Sequence, residues 1–285
     1  MTIQITILFD RLRWEEKELK KKAENLGIIS NFLDVRGLIL HPNAKLDSER
    51  FGDILVQRCV SFQRGFHTTA FLEQGGKTVI NSKSVAQICG NKAMSTSMLK
   101  VNGIPVPKTA ICFSLETALE AIRNMGFPVV VKPILGSWGR GIIPIKDIDT
   151  ARGVLELNEG EHGTNQVYYV QEMVERPPRD IRCIVAGDEV IASVYRYSAP
   201  GEWRTNVAKG GKTEPYKVSK EDEDVFIRAA KAVGGGILGV DAMESPDGLL
   251  IHEVNNTVEF KGASTATSTD IAGSILRYVL SVSKK

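Results

Sequence analysis

The runs Gly239-Val240-Asp241-Ala242-Met243-Glu244 and Leu249-Leu250-Ile251-His252-Glu253-Val254-Asn255-Asn256-Thr257 decide the fold of this chain. Two hydrophobic runs end in acidic or amide residues, with a Pro-Asp-Gly turn at 246–248 between them, which predicts a β-hairpin. Asp241, Glu253 and Asn255 are expected on one face of it, because residues two apart on a strand project the same way. Two carboxylates and an amide oxygen together suit Mg²⁺, a hard cation that takes oxygen ligands and shares them with nucleotide phosphates. The plainer reading is an edge strand with a solvated polar face. His252, one residue from Glu253, is expected on the opposite face; His41, His67, His162 and His252 show no metal spacing and read as structural or surface residues.

Upstream, the apolar strand Phe127–Val131 ends in Lys132 and runs through Pro133 into Gly136-Ser137-Trp138-Gly139-Arg140-Gly141. Glycines so dense cost backbone entropy but let N–H groups come close to phosphate oxygens. Neither the P-loop nor the dinucleotide spacing is present, so the loop alone is a weak signal. Lys132 at the strand end strengthens it, as a point charge for a phosphate; a solvated surface lysine is the alternative. Val167 to Glu175 is a strand passing into a linker, able to offer main-chain groups to a purine.

The order strand–Lys132–glycine loop, then Gln171-Glu172-Met173-Val174, then Asp241…Glu253-Val254-Asn255 resembles the ATP-grasp superfamily of carboxylate–amine ligases. Within it the chain is most similar to the ligases that build lysine and arginine on an amino-group carrier protein (the LysX and ArgX group, relatives of RimK). The resemblance runs from Phe9-Asp10-Arg11-Leu12-Arg13-Trp14-Glu15-Glu16 through Cys89-Gly90-Asn91-Lys92 to Glu259-Phe260-Lys261. It implies ATP and Mg²⁺ as cofactors, with Asp241, Glu253 and Asn255 on the metal. Lys92, Lys132, Gly136, Ser137, Trp138 and Gly139 would meet the phosphates, and Gln171, Glu172, Met173 and Val174 the adenine, mainly through main chain. Asp180 matches a ribose acceptor, against a salt bridge to Arg179 or Arg182.

Arg182 and Arg196 lie on strands where arginine usually snorkels to solvent. An acyl-phosphate route needs cations, and Asn206 and Lys209 in a Gly-rich loop join Arg182 as catalytic candidates. The family usually has arginine where Lys209 stands; lysine keeps the charge and loses the bidentate fork. Arg196, Asn256, Thr257 and the small-residue tail Gly262, Ala263, Ser264, Thr265 are assigned to the amino-acid substrate, against a flexible loop. Lysine-pathway members carry Asn after Glu-Phe-Lys, so Gly262 leans the substrate toward glutamate. The expected reaction joins glutamate or α-aminoadipate to the C-terminal glutamate side chain of a small acidic carrier through an acyl phosphate. The alternatives are a RimK-like ligase adding glutamate to a ribosomal protein or small cofactor, and a non-catalytic ATP-binding regulatory module. The resemblance also implies a homo-oligomer, dimer or tetramer.

Composition sets outer bounds. With 285 residues, 25% charged and 42% hydrophobic, the chain is an ordinary globular protein of one to three domains. A net charge of +2 gives no case for nucleic acid. Cys59, Cys89, Cys112 and Cys183 form no Cys-x-x-Cys pair and read as buried apolar residues. No secretory signal or membrane-length apolar run is evident, so a cytoplasmic protein with no membrane partner is expected.

Alternating strand and helix signals predict an α/β fold, α+β in part: an N-terminal parallel α/β domain over 1–84, a small central lid over 85–170, and a C-terminal antiparallel domain with the metal and substrate site over 171–285. Ser82–Val101 reads as helical with Lys92 inside it, 158–165 as a polar connection, and 199–214 as a loop.

Overall fold

A computed structural model describes residues 3–282 except 44, 137–138, 163–166, 200 and 206–211. Its first sheet holds β1 (Gln4–Phe9), β2 (Ile29–Asp34), β3 (Ile54–Gln57) and β4 (Thr78–Ile80) in the order β2-β1-β3-β4, all parallel. Around it run α1 (Trp14–Asn25), the short α2 (Ser48–Phe51) and α3 (Phe62–Gln74). The inner strands β1 and β3 are largely apolar because both faces are covered, whereas the edge strand β2 is partly exposed. Ile5, Ile7 and Val56 pack toward α1, while Leu8, Leu55 and Leu72 form a separate core.

Two helices follow, α4 (Lys83–Gly90) and α5 (Lys92–Val101). The continuous helix expected over 82–101 is broken at Asn91, whose extended backbone ends α4 and whose side chain caps α5 by accepting from the Met94 N–H. Lys92 is thus the first residue of a helix rather than a mid-helix one.

The middle sheet comprises β5 (Thr109–Cys112), β6 (Val129–Lys132), β7 (Ile143–Ile145) and β8 (Tyr168–Glu172), antiparallel in the order β5-β8-β6-β7. Helices α6 (Leu115–Met125) and α7 (Ile148–His162) bury Ala118, Leu119, Ile122, Ala151 and Leu155 against Val129, Val131, Tyr168 and Val170. The polar connection expected over 158–165 is corrected in part: α7 extends to His162, started by Asp147 accepting from Thr150 N–H at 2.8 Å. The sheet closes at Glu172, so a boundary at 170 would pass through β8.

The third sheet is antiparallel, β11-β10-β9-β12-β13, from β9 (Arg179–Ala186), β10 (Glu189–Tyr197), β11 (Thr213–Pro215), β12 (Ile237–Ser245) and β13 (Gly248–Asn255). One face packs on α8 (Lys220–Ala232) together with α4 and α5, through Phe226, Val233, Leu238, Val240, Val85 and Leu99. The other face shares a core with α10 (Ile271–Val282) and the first sheet. The 83–101 helices therefore belong with the third sheet rather than with the middle one. Asn81 stitches first to third: Nδ2 donates to Ile237 O (2.8 Å) and Asn256 O (2.7 Å), and Ile237 N–H donates back to Oδ1 (2.7 Å). The small-residue tail is not a loop but α9 (Lys261–Thr267), with Ala263 buried.

Candidate active site

A cavity of about 1130 Å³ opens where the three sheets meet. That exceeds an ordinary small-ligand pocket and leaves room for a nucleotide plus a second substrate. The β12–β13 hairpin forms its floor. Asp241 pairs directly with Glu253 and Gly239 with Asn255 in the register. Asn255 Nδ2 lies 3.3 Å from Asp241 Oδ2, so all three predicted metal residues do share a face.

The same hairpin corrects one expectation. Pairing jumps from Asp241↔Glu253 to Ala242↔Ile251, leaving His252 as the extra residue of a β-bulge. Bulges re-aim side chains, and His252 lines the cavity beside Glu253 instead of facing away. Its buried Nε2 hydrogen-bonds to none of the described residues and sits 3.9 Å from Asp180 Oδ2. Burial first, then nearby Lys132, pulls its pKa down to about 3 against the pull of Asp241 and Asp180, so the imidazole is neutral. No sequence feature signals the bulge, because Leu249-Leu250-Ile251 already runs apolar without alternation before His252.

Behind the hairpin lies a knot of opposite charges. Arg182 grips both Asp241 oxygens, and Arg196 Nη2 reaches Oδ2 at 3.1 Å. Arg196 also forks onto Asp180 with two bonds of 2.7 Å, and Thr205 Oγ1 donates to the same carboxylate. Burial would raise the Asp241 pKa, yet Arg182 and Arg196 outweigh it and hold the carboxyl well below the usual range. Arg196 does not snorkel: it is 9% exposed, and its two aspartates overcome burial to raise its pKa. Asp180 differs from the free ribose acceptor expected, since its carboxylate is buried and taken by Arg196, not by Arg179 or Arg182. Arg179 instead pairs with Glu244.

Lys132 ends β6 at the cavity wall, 8% exposed, with Nζ donating to Gln171 Oε1 at 2.6 Å. Burial lowers its pKa to about 8 despite Glu253, with Lys92 and Arg176 adding to the fall. Lys92 Nζ donates to Gly136 O at 2.7 Å and lies 3.8 Å from Glu253 Oε1. Gly136 (φ +139°) and Gly139 (φ +66°) hold conformations that side chains resist, which fits a loop whose backbone approaches a ligand. Gln171, Glu172, Met173 and Val174 all line the cavity, and the Gln171 side chain is bonded to Lys132. Arg176, not foreseen, joins the linker to the next loop by donating to Arg179 O and Trp203 O.

The opposite wall joins the first unit to α9. Arg13 and Arg58 both hold Glu16, and Arg13 reaches Glu259 at 3.2 Å. Glu15 Oε1 accepts from the Phe260 and Lys261 N–H groups, each at 3.2 Å. The N-terminal motif and the Glu-Phe-Lys motif thus meet in space. Asn256, Thr257, Gly262, Ala263 and Thr265 line this part of the cavity; Ser264 does not. Ser137, Trp138, Asn206 and Lys209 lie outside the described residues. The Cys59 and Cys89 thiols are pushed up to about 12, chiefly by burial, which removes them as nucleophiles.

A RimK-like ATP-grasp domain profile matches residues 89–279, and a LysX preATP-grasp domain profile matches residues 5–88. The chain belongs to the RimK-like ATP-grasp family. As an ATP-grasp enzyme it uses ATP. The α-aminoadipate–LysW ligase LysX of Sulfurisphaera tokodaii is 36% identical over 279 residues, covering 96% of each chain. The glutamate–LysW ligase ArgX of the same organism is 33% identical over 279 residues, covering 97% of this chain and 98% of its own. Among solved structures, a RimK domain ATP-grasp protein from Sphaerobacter thermophilus superposes with a TM-score of 0.80 at 25% identity, covering 97% of this chain and 99% of that one. No helix among the described residues of this ATP-grasp enzyme is long and apolar enough to cross a membrane.

Proposed function

We propose that this enzyme joins the amino group of glutamate or α-aminoadipate to the C-terminal glutamate side chain of a small acidic carrier protein, at the expense of ATP. The observation that carries the reading is end-to-end similarity to two ligases named for the LysW carrier, across both the preATP-grasp and ATP-grasp segments. A carboxylate oxygen attacks the γ-phosphorus and ADP leaves; the amine nitrogen then attacks the acyl carbon, phosphate departs and the amine loses a proton. Phosphorylation turns a poor leaving group into a good one.

Lys92 and Lys132 face the nucleotide's phosphates, one at a helix start and one at a strand end, and offset their charge. Lys132 suits this role because its buried charge gains most when an anion arrives. The main chain at Glu172–Val174 faces the adenine. The donor set of the hairpin fits Mg²⁺, which takes oxygen ligands. Glu253 and the Asn255 amide would hold it directly; Asp241 shares the face but is already engaged by Arg182 and Arg196. Held by these residues, the ion would supply positive charge against the negative charge that develops on the transferred phosphoryl group. Asn206 and Lys209 are assigned, on sequence alone, to the transferred phosphoryl group. Asn256, Thr257 and the cavity face of α9 are assigned to the amino acid. The cytoplasm and a homo-oligomer follow from the same reading.

The test is ADP release with purified carrier and each amino acid supplied separately. Release that needs both partners supports the reading. Turnover on another glutamate acceptor, with none on the carrier, moves the enzyme to the RimK-like alternative.

A further inference from the structure

A buried polar chain runs from the middle sheet to α5. Lys132 Nζ donates to Gln171 Oε1 (2.6 Å), and Gln171 Nε2 donates to Tyr169 OH (2.9 Å) and Thr109 Oγ1 (3.0 Å). Tyr169 OH and Thr96 Oγ1 share a further bond of 2.8 Å. All of Lys132, Gln171, Tyr169 and Thr96 are buried. Tyr169 and Gln171 are two apart on β8 and share a face, while Tyr168 and Val170 enter the sheet's own core.

Thr96 lies one helical turn after Lys92, on the same side of α5. Lys92 meanwhile bonds the glycine loop through its N–H to Ile134 O and its Nζ to Gly136 O. The two lysines therefore belong to one hydrogen-bonded frame, with Gln171 at its centre. Of three ammonium donors, Lys132 has one fixed inward. An amide is the acceptor that can orient an ammonium without neutralising it; a carboxylate in its place would compete with the phosphates for the charge.

We propose that Gln171 is a positioning residue: it aims the Lys132 ammonium at the nucleotide, leaves its charge for the phosphates, and ties it through Tyr169 and Thr96 to α5 and Lys92. This rests on Lys132 meeting the phosphates, and it replaces an adenine role for the Gln171 side chain. The groups around the ammonium are Glu253 on β13, Lys92 on α5, Arg176 after β8 and the neutral His252. Glu253 and the Tyr169 ring face, 6.0 Å from Nζ, favour the charged form, and among the described residues Gln171 is the group that hydrogen-bonds the ammonium directly.

The experiment follows the lysine Cε resonances through a pH titration of the ATP-free protein, with Lys132 assigned by Lys132→Met. ATP affinity is measured over the same pH range by calorimetry. Wild type should titrate near pH 8 and bind ATP less well above it. Gln171→Leu should move the Lys132 titration, and the alkaline fall in affinity, down by about one pH unit. Gln171→Glu should move both upward by about one unit. Opposite shifts from two folded variants are what a merely structural glutamine would not give. If Gln171→Leu fails to fold, Gln171→Glu keeps an acceptor oxygen and carries the test. Titration of Lys132 at the wild-type pH in Gln171→Glu overturns the proposal. Unchanged ATP affinity in Lys132→Met would instead overturn the phosphate role of the lysine, which the resonance shifts do not depend on.

Discussion

Asp241 shows how strongly its two arginines bind it. Its side chain is 2% exposed and faces both Arg182 and Arg196. Asp241→Ala would leave two guanidiniums without their shared anion, so it should destabilise the fold by about 3–5 kcal/mol, the scale for breaking a buried pair. Urea denaturation checks this; a loss under about 1 kcal/mol would contradict the assignment. Because its folded pKa is depressed, the stabilisation from Asp241 is present above the ordinary carboxylate pKa of about 4 and lost as pH falls below it. Glu253 is different, 29% exposed and free of such a knot. Glu253→Gln should fold normally and lose roughly 10²–10³ in kcat, the scale for one preorganised electrostatic group. Steady-state ADP release at saturating Mg²⁺ checks it, and activity within twofold of wild type would sink the role. The shared face of Asp241, Glu253 and Asn255 was legible, because side chains on a hairpin repeat every two residues. His252 was not, since its orientation is set by a bulge. Nor was the Arg182–Arg196 knot, which needs two strands brought together from afar.

At the scale of elements, the strand running from Phe127 into Lys132 was readable from its apolar run, although β6 itself begins only at Val129. Helix ends were harder, because a cap is one residue against a long periodic run. Asn91 is such a cap: it starts α5 and so fixes where Lys92 points. Asn91→Ala should cost about 1 kcal/mol of stability and raise the KM for ATP more than it lowers kcat. Thermal melts and ATP titrations read the two effects; an unchanged KM would separate the cap from Lys92. Helix α9 was hidden for another reason. Its Ser, Thr and Gly content favours a loop locally, and it is Glu15, from a distant helix, that accepts its first N–H groups. Thr265 and Thr267 hydroxyls bond back to Lys261 O and Ala263 O, satisfying hydroxyls that would otherwise favour a turn.

At the scale of the whole molecule, the cavity exists because three sheets converge on one hairpin, with the first and third sharing a core and the middle one bonded to α5. The order of motifs along the chain made that convergence legible, while the size of the opening was not. A net charge of +2 permits an acidic protein partner, whose association would be faster at low salt. Glutamate and α-aminoadipate differ by one methylene, worth only about 1–3 kcal/mol in a pocket, so the two can compete. Gly262 lies beside the cavity, and a Cβ there would sit 3.5 Å from Thr213 Cγ2, in ordinary contact. Gly262→Asn should therefore fold and change the preference between the two amino acids, read as the ratio of their kcat/KM values. The measurement that bears most directly on the whole account is the intact mass of the purified carrier after incubation with enzyme, ATP, Mg²⁺ and an equal mixture of both amino acids. A carrier heavier by one glutamate or one α-aminoadipate residue, with the gain lost on removing ATP, is the predicted result. A carrier of unchanged mass, while the enzyme turns over ATP on another acceptor, would contradict it.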